Sequence, residues 1–221
     1  MHPAGPPPSL RVGAGTVHVV GTASGLADEG PRVTDFLSTL QPTVVALGVS
    51  PDEVEALRQF MATPEEELED VEEAEYDPGY AQGLLQFGEI LLPPPDLTSA
   101  LEWASAANAR VEGIDLPQHE YDQAFASNVG TLEVLFYGRK TRKLGKRPPK
   151  AATARDFVIA WDRKLRESRG VARVEALREQ HMADRLAALA EGGASVVAVV
   201  AASREEGILQ ALAQKTGKSQ K

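Results

Sequence analysis

The chain reads Val17-His18-Val19-Val20-Gly21-Thr22-Ala23-Ser24 near its start, an apolar and β-branched run that passes into a turn of small residues. A second run of this kind, Val196-Val197-Ala198-Val199-Val200-Ala201-Ala202-Ser203-Arg204, lies near its end. Each run predicts a buried strand followed by a turn, which is where many α/β proteins place a ligand site. Neither turn contains a histidine, so the pattern predicts the scaffold without the imidazoles of a metal site.

Two further apolar runs predict strands at 43–47 and 111–114. Between the first two strands, residues 31–40 carry apolar side chains at helical spacing, which predicts a right-handed βαβ unit. Strands therefore alternate with helical segments along the chain. We predict an α/β fold with a mainly parallel sheet flanked by helices.

Helix starts are marked by capping residues. Ser50, Pro51 and Glu53 stand in the order of an N-cap, a first-turn proline and a capping-box glutamate, for a helix that runs to about Met61. Asp96 is predicted to cap a helix in the same way. Further helices are predicted at 80–90, at 119–137, from Thr153, at 174–189 and at 205–213, with interruptions at Gly170 and at Gly192-Gly193.

The composition limits the function classes. The 221 residues are 43% hydrophobic, which suits one domain, expected over 11–214 between disordered termini at 1–10 and 215–221. The formal net charge of −9 argues against a general binder of nucleic acid. The chain has no cysteine, which fits a cytoplasmic location. We expect no secretory signal, because residues 1–9 lack a basic start followed by an apolar stretch, and no transmembrane segment, because no run reaches roughly 18 apolar residues.

Two oppositely charged runs stand out. Residues 65–77 contain nine acidic side chains and no basic one. Residues 139–150 contain seven Arg and Lys side chains. We expect both runs to be exposed surface loops, since charges at this density repel one another and are costly to bury. Their opposite signs favour attraction to each other or to a partner.

Asp115 directly follows the strand predicted at 111–114. Two interpretations stay open: its carboxylate points into the crevice where α/β proteins bind ligands, or it caps the next turn or helix.

The order of these pieces resembles the TraB family, which includes the PrgY-type pheromone-shutdown proteins and is related to the Tiki metalloproteases. The resemblance spans nearly the whole chain. The matching stretches are Val17 to Ala23, Pro42 to Leu47, Gly113-Ile114-Asp115, Arg178-Glu179-Gln180-His181-Met182-Ala183 and Val196 to Ile208. It implies a TraB/Tiki-like α/β fold with a functional crevice at the carboxyl ends of the strands.

The departures from the family pattern affect the chemistry. The first family turn has a histidine where this chain has Ser24, and the second strand ends in a glutamate where it has Gly48. The second Gly-x-x-His turn is replaced by Ala201-Ala202-Ser203-Arg204. In the related metalloproteases those positions are thought to hold a divalent metal. We therefore expect no metal and no cofactor here.

Other residues do not rebuild a recognisable active site. The four histidines, at positions 2, 18, 119 and 181, are scattered. Ser24 and Ser203 lack an evident His and Asp partner and lie outside any Gly-x-Ser-x-Gly elbow.

The crevice itself suits an anion, because it combines a small-residue turn with two arginines. The predicted ligand-binding residues are Gly21, Thr22, Ser24, Asp115, Arg178, Ser203 and Arg204. The alternative is that Arg204 pairs with a carboxylate of the chain, such as Glu205 or Asp115.

Two classes of function follow. The first is a catalytically degenerate TraB-like domain that binds a peptide, an anionic small molecule or a protein. The second is a hydrolase with relocated groups, for which Ser24, Asp115 and Glu179 are the catalytic candidates. The sequence leaves the ligand and the oligomeric state open.

Overall fold

The computed structural model describes residues 5–63 and 78–218, so the acidic run at 65–77 lies outside the described residues. Over the described residues the chain forms five strands and nine α-helices. The strands are β1 (Ser9–Val12), β2 (Gly15–Thr22), β3 (Val44–Leu47), β4 (Arg110–Gly113) and β5 (Ser195–Ala201). The helices are α1 (Glu29–Leu40), α2 (Pro51–Ala62), α3 (Pro78–Leu84), α4 (Pro95–Ala107), α5 (Gln118–Asn128), α6 (Thr131–Lys146), α7 (Ala154–Leu165), α8 (Arg169–Glu191) and α9 (Glu205–Lys218).

The strands form one sheet in the order β1-β2-β5-β3-β4. β2, β5, β3 and β4 run parallel, and only β1 is antiparallel to its neighbour. The two runs that open and close the predicted sheet are direct neighbours, with Val19 beside Ala198. This confirms the predicted α/β architecture and the four predicted strands.

The edge strand β1 was not predicted. Ser9 and Leu10, expected to belong to a disordered start, pair with His18 and Val17. The turn between the strands includes Gly13, whose φ of 58° is unfavourable for a side chain with a Cβ. At the other end, the expected disordered tail was also wrong for residues 215–218, which continue α9.

The capping signals had mixed outcomes. Ser50 accepts a hydrogen bond from the backbone N–H of Glu53, whose carboxylate accepts one from the N–H of Ser50, so the predicted capping box is confirmed. The helix predicted from Thr153 begins there, with the Thr153 hydroxyl accepting a hydrogen bond from the N–H of Asp156. Asp96 does not cap α4, because its carboxylate is bonded to the turn after β2.

Other helix boundaries also differ from the predictions. The helix expected at 119–137 breaks at Val129-Gly130 into α5 and α6. Most of the basic run, expected to be a loop, is the second half of α6, because exposed Arg and Lys side chains are good helix formers. The helix expected at 80–90 ends at Leu84 and continues only as a 3-10 turn through Phe87. Gly170 lies inside α8, and the chain turns before it.

Both faces of the sheet are covered. Helices α8 and α9 pack on one face, where the core includes Val19, Ala198, Met182, Leu186 and Leu212. Helices α1, α2 and α4 pack on the other face, where the core includes Val20, Val197, Leu37, Val54 and Leu101. Because the sheet is buried on both sides, its strands are continuously apolar instead of alternating.

A third apolar cluster packs on the turns that follow β2 and β5. Ala23 and Ala202, one residue past the ends of these strands, pack with Phe157 and Trp161 of α7 and Leu84 of α3. The carboxyl end of the sheet is therefore partly covered by helices.

Gly113 is a point where no side chain fits. A Cβ there would lie 2.7 Å from the backbone nitrogen of Pro51 and 2.7 Å from the carbonyl of Ser50. We expect Gly113→Ala to lower the free energy of unfolding by about 1–3 kcal/mol, because backbone atoms cannot move aside cheaply. Urea unfolding of the purified variant measures this change.

Gly138→Ala is the matched control. A Cβ at Gly138 meets nothing within 4 Å, and the residue lies inside α6. It should raise the free energy of unfolding by about 0.5–1 kcal/mol through helix propensity. Equal effects of the two substitutions would contradict the tight contact between the end of β4 and the start of α2.

Candidate functional site

The predicted site residues lie at the carboxyl end of the sheet but belong to separate groups of contacts. Gly21 and Thr22 end β2, Asp115 follows β4, and Ser203 with Arg204 connects β5 to α9. Arg178 reaches this end from α8. Each group is held by carboxylates, several of which the sequence did not single out.

Arg178 and Asp115 form the most extensive ion pair. The guanidinium Nε of Arg178 is 3.1 Å from each carboxylate oxygen of Asp115, and its Nη2 bonds to Oδ2 as well. Asp115 is 4% exposed and also accepts the N–H of Leu116 at 2.7 Å. Its carboxylate is therefore buried against Arg178 and also bonds to the next backbone N–H.

Glu175 joins two arginines. Its Oε1 accepts from Arg178 Nη1 at 2.9 Å, and its Oε2 accepts from Arg204 Nη2 at 2.5 Å. Burial opposes the charge of Glu175, but the nearby cations of Arg204 and Arg178 outweigh it and hold the pKa of this carboxyl below its ordinary value. Arg204 thus pairs with a carboxylate, as the alternative interpretation expected, although the partner is Glu175.

A third arginine lies on the other side of Glu175. Arg166 Nη2 is 3.9 Å from Glu175 Oε2 and 2.6 Å from Glu179 Oε1. Arg166 Nε also bonds to Asp162. Burial raises the pKa of Glu179 and of Asp162 above their ordinary values, against the opposing effect of Arg166. The carboxylate of Glu179 packs against Gly207 in the first turn of α9, where a Cβ would collide with it.

These contacts form one arginine network, which we define as Asp115, Asp162, Arg166, Glu175, Arg178, Glu179 and Arg204. The guanidinium of Arg178 also lies 5.2 Å from the centre of the Tyr121 ring, a cation–π distance. The network therefore connects the end of β4 with α5, α7, α8 and the start of α9.

Thr22 and Ser24 belong to a second group, on the other face of the sheet. Both hydroxyls donate to Asp96, at 2.7 Å from Thr22 and 3.0 Å from Ser24, and the N–H of Gly25 donates to it at 3.3 Å. Asp96 is 1% exposed. Burial raises its pKa, although these three hydrogen bonds favour the charged carboxylate.

Gly21 lies between the two groups. Its N–H donates to Glu205 Oε2 at 2.8 Å, and its carbonyl accepts from Arg32 Nη2 at 2.6 Å. These backbone groups lie beyond the pairing with β1, which reaches only His18, so side chains can bond to them. Arg155 of α7 completes the contact through Nη2, 2.6 Å from Glu205 Oε1.

The structure thus gives site contacts to residues that sequence reasoning did not place in the site. Asp96, Glu175, Glu205 and Arg155 bond to predicted site residues, and Glu29 accepts the N–H of Ala23, between Thr22 and Ser24. Only Glu175 had a local signal, since it lies three positions before Arg178 on a helix, where side chains are neighbours. The other partners are brought in by the fold.

Ser24, Gly48 and Arg204, the positions at which the resemblance implies metal ligands, do not fit a metal. The Ser24 hydroxyl donates to Asp96, and Arg204 brings a positive charge. At Gly48 an added Cβ would lie 3.0 Å from Val200 Cα, so the end of β3 has little room for a carboxylate side chain. Across residues 5–63 and 78–218, no three His, Cys, Asp or Glu side chains are grouped as metal ligands.

Comparisons with protein-family models, with curated proteins and with solved structures found no match to this chain. Of the helices that the structure describes, none is long and apolar enough to cross a membrane.

The buried carboxyl of Asp96 predicts a specific pH dependence. Because its pKa is raised above 3.8, the folded state binds this proton more tightly than the unfolded state. Its contribution to stability is therefore greatest below about pH 4 and is lost as the pH rises through the folded-state pKa. We therefore compare the free energies of unfolding of the wild type and of Asp96→Asn. The value for the wild type minus the value for the variant should fall as the pH rises from about 4 through the folded-state pKa.

Urea unfolding at a series of pH values measures the difference. Asp52→Asn is the control, because Asp52 is an exposed acid in the first turn of α2. A difference for Asp96→Asn that rises with pH would show that the three hydrogen bonds outweigh burial.

Proposed function

We propose that this chain is a divergent, catalytically degenerate TraB-like domain that acts as a binding or regulatory protein in the cytoplasm. The order of strands and helices, with Asp115 and Arg178 paired at the carboxyl end of the sheet, supports the TraB/Tiki-like assignment. The misfit of Ser24, Gly48 and Arg204 to a metal supports the loss of catalysis. The absence of cysteine supports the location.

The observation that carries the binding function is the carboxylate of Glu175 between two guanidiniums. Arg178 and Arg204 each donate to one of its oxygens, at 2.9 and 2.5 Å, and Arg166 lies 3.9 Å away. Arginine binds carboxylates and phosphates through such paired contacts. The three arginines therefore form a cradle for one anionic group, which Glu175 fills in this structure.

The proposed ligand carries a carboxylate or a phosphate, as a peptide or a small anionic molecule does. It would bind Arg204 and Arg178 by exchange with Glu175, while Asp115 keeps Arg178 in position from its other side. Glu175 and Arg204 have side chains only 11% and 13% exposed, so the exchange requires the Glu175 side chain to turn away. Binding would thus be coupled to a change between α8 and α9, which is a means of regulation.

A second function, a hydrolase with relocated groups, is favoured by one observation. The Ser24 hydroxyl donates to Asp96, a buried carboxyl whose pKa is raised. As a carboxylate, Asp96 would accept the proton that Ser24 loses on acting as a nucleophile. The other two candidates are less available, because Asp115 and Glu179 are paired with arginines. Hydrolysis of a p-nitrophenyl ester that is lost in Ser24→Ala would support this function over the binding function.

Inorganic phosphate tests the binding function without knowledge of the natural ligand. We expect phosphate to raise the melting temperature of Glu175→Gln more than that of the wild type, because the variant lacks the competing carboxylate. A site filled at one hundred times its Kd adds about 2.7 kcal/mol to the free energy of unfolding. Adding Arg204→Met to Glu175→Gln should abolish the effect.

Glu206→Gln is the control, since it removes one negative charge from an exposed position in the first turn of α9. Its response to phosphate should equal that of the wild type. Zn²⁺ or Mn²⁺ should leave all the melting temperatures unchanged. A phosphate response that is the same in Glu175→Gln and Glu206→Gln, or that survives Arg204→Met, would overturn the proposed cradle.

A further inference from the structure

The outward face of α6 has no partner among the described residues. Three large apolar side chains near its start are strongly exposed: Leu132 at 72%, Leu135 at 54% and Phe136 at 59%. Isolated exposed apolar residues are common, but a contiguous group on one helix marks an interaction surface.

The second half of this face is basic. Its exposed basic residues are Arg139, Arg142, Lys143 and Lys146, followed by Arg147 and Lys150. At 100° per residue, positions 132, 135, 136, 139, 142, 143 and 146 fall within one arc of the helix. We call this set the α6 stripe: it is apolar at its amino end and basic at its carboxyl end.

The opposite side of α6 holds the helix to the protein. Leu144 is buried in the third apolar cluster with Phe157 and Trp161, and Tyr137 packs with Val129, Val171 and Val174. Lys140, which lies outside the stripe, pairs with Glu167 at 3.0 Å. α6 is therefore anchored by its inner side, and its exposed stripe is not needed for that contact.

The stripe's positive charges act within their own helix: Arg142 Nε donates to the carbonyl of Gly138 at 3.2 Å, and Lys143 and Lys146 lie in the last turn, where cations stabilise a helix. Arg139 lies 5.9 Å from the centre of the Phe136 ring. Within residues 5–63 and 78–218, none of Arg139, Arg142, Lys143 and Lys146 pairs with a carboxylate. The same four side chains line an open cavity of about 310 Å³. An acidic chain of net charge −9 thus keeps a concentrated positive surface with room for an anionic group.

We propose that the α6 stripe binds a membrane surface that contains anionic phospholipids. Charge complementarity selects the headgroups: clusters of four to eight Lys and Arg on an amphipathic helix attract anionic lipids. The adjoining apolar group, Leu132, Leu135 and Phe136, would enter the boundary between headgroups and acyl chains. A nucleic acid would use the basic half, and a single strand would also stack a base on Phe136, but it would leave Leu132 and Leu135 exposed.

Vesicle sedimentation tests the proposal on the full chain. We expect it to sediment with vesicles of phosphatidylglycerol and phosphatidylcholine, to stay in solution with phosphatidylcholine alone, and to release as salt is raised. Arg142→Gln with Lys146→Gln should weaken binding at least tenfold, since each basic residue near the surface contributes about 1 kcal/mol. Leu132→Ser with Phe136→Ser should also weaken it, because less apolar area is buried.

Arg58→Gln with Arg163→Gln is the matched control. It also removes two positive charges, but from exposed positions on α2 and α7, and it should leave vesicle binding unchanged. Circular dichroism and the melting temperature show whether each variant is folded. At constant ionic strength, free inorganic phosphate should compete only weakly, because it cannot occupy the apolar half.

Several results would overturn the proposal. The first is that the wild type ignores anionic vesicles, and the second is that the stripe variants bind as well as the control. A third result is that the chain does not bind vesicles but binds single-stranded DNA, an acidic protein or a second copy of itself. In that case the stripe variants would lose the binding to that partner. The phosphate response of Glu175→Gln involves other residues and is decided separately.

Discussion

The arrangement at the carboxyl end of the sheet depends on Arg178, which is held between Asp115 and Glu175. Asp115 sits just beyond β4, whereas Glu175 and Arg178 are on α8 and Arg204 is at the start of α9. Removing a buried charge from water costs several kcal/mol, so such groups are kept only where they are well paired. Each partner of Arg178 therefore constrains the position of the others, and helices α8 and α9 are fixed relative to the sheet.

This pairing also limits what the site can do. Carboxylates that could bind a cation, such as Asp115 and Glu179, already face arginines. A metal would have to displace those arginines from an interior where unpaired charge is costly. A negatively charged group of a ligand has an easier route, because it replaces one carboxylate by another. The chemistry of the site thus favours exchange of anions over catalysis by a metal.

The predictable parts of the molecule are those with local signals. The β-branched runs around Val19, Val45 and Val197 predict buried strands, and Ser50 with Glu53 predicts a helix start. Asp115 could be singled out because polar residues just beyond parallel strands share one end of the sheet. These inferences need only the neighbouring residues.

The parts that were missed depend on distant contacts. Asp96 looks like a helix cap in the sequence, but the fold brings it to Thr22, 74 positions away. Glu205 and Arg155, 50 positions apart, meet only because α7 lies across the turn after β2. β1 is only four residues long, and its residues alternate between exposed (Ser9 and Arg11) and at least partly buried (Leu10 and Val12). It therefore lacks the apolar run that marks the other strands. The break at Gly130 was hidden because apolar residues continue at helical spacing on both sides of it.

A double-mutant cycle on Arg178 and Asp115 measures whether this ion pair fixes the carboxyl end of the sheet. The free energies of unfolding of the wild type, Arg178→Met, Asp115→Asn and the double variant give the coupling between the two side chains. For a buried pair that fixes the carboxyl end of the sheet, we expect a coupling of about 2 kcal/mol or more. A coupling below about 0.5 kcal/mol, as exposed ion pairs give, would contradict the central role of this interaction.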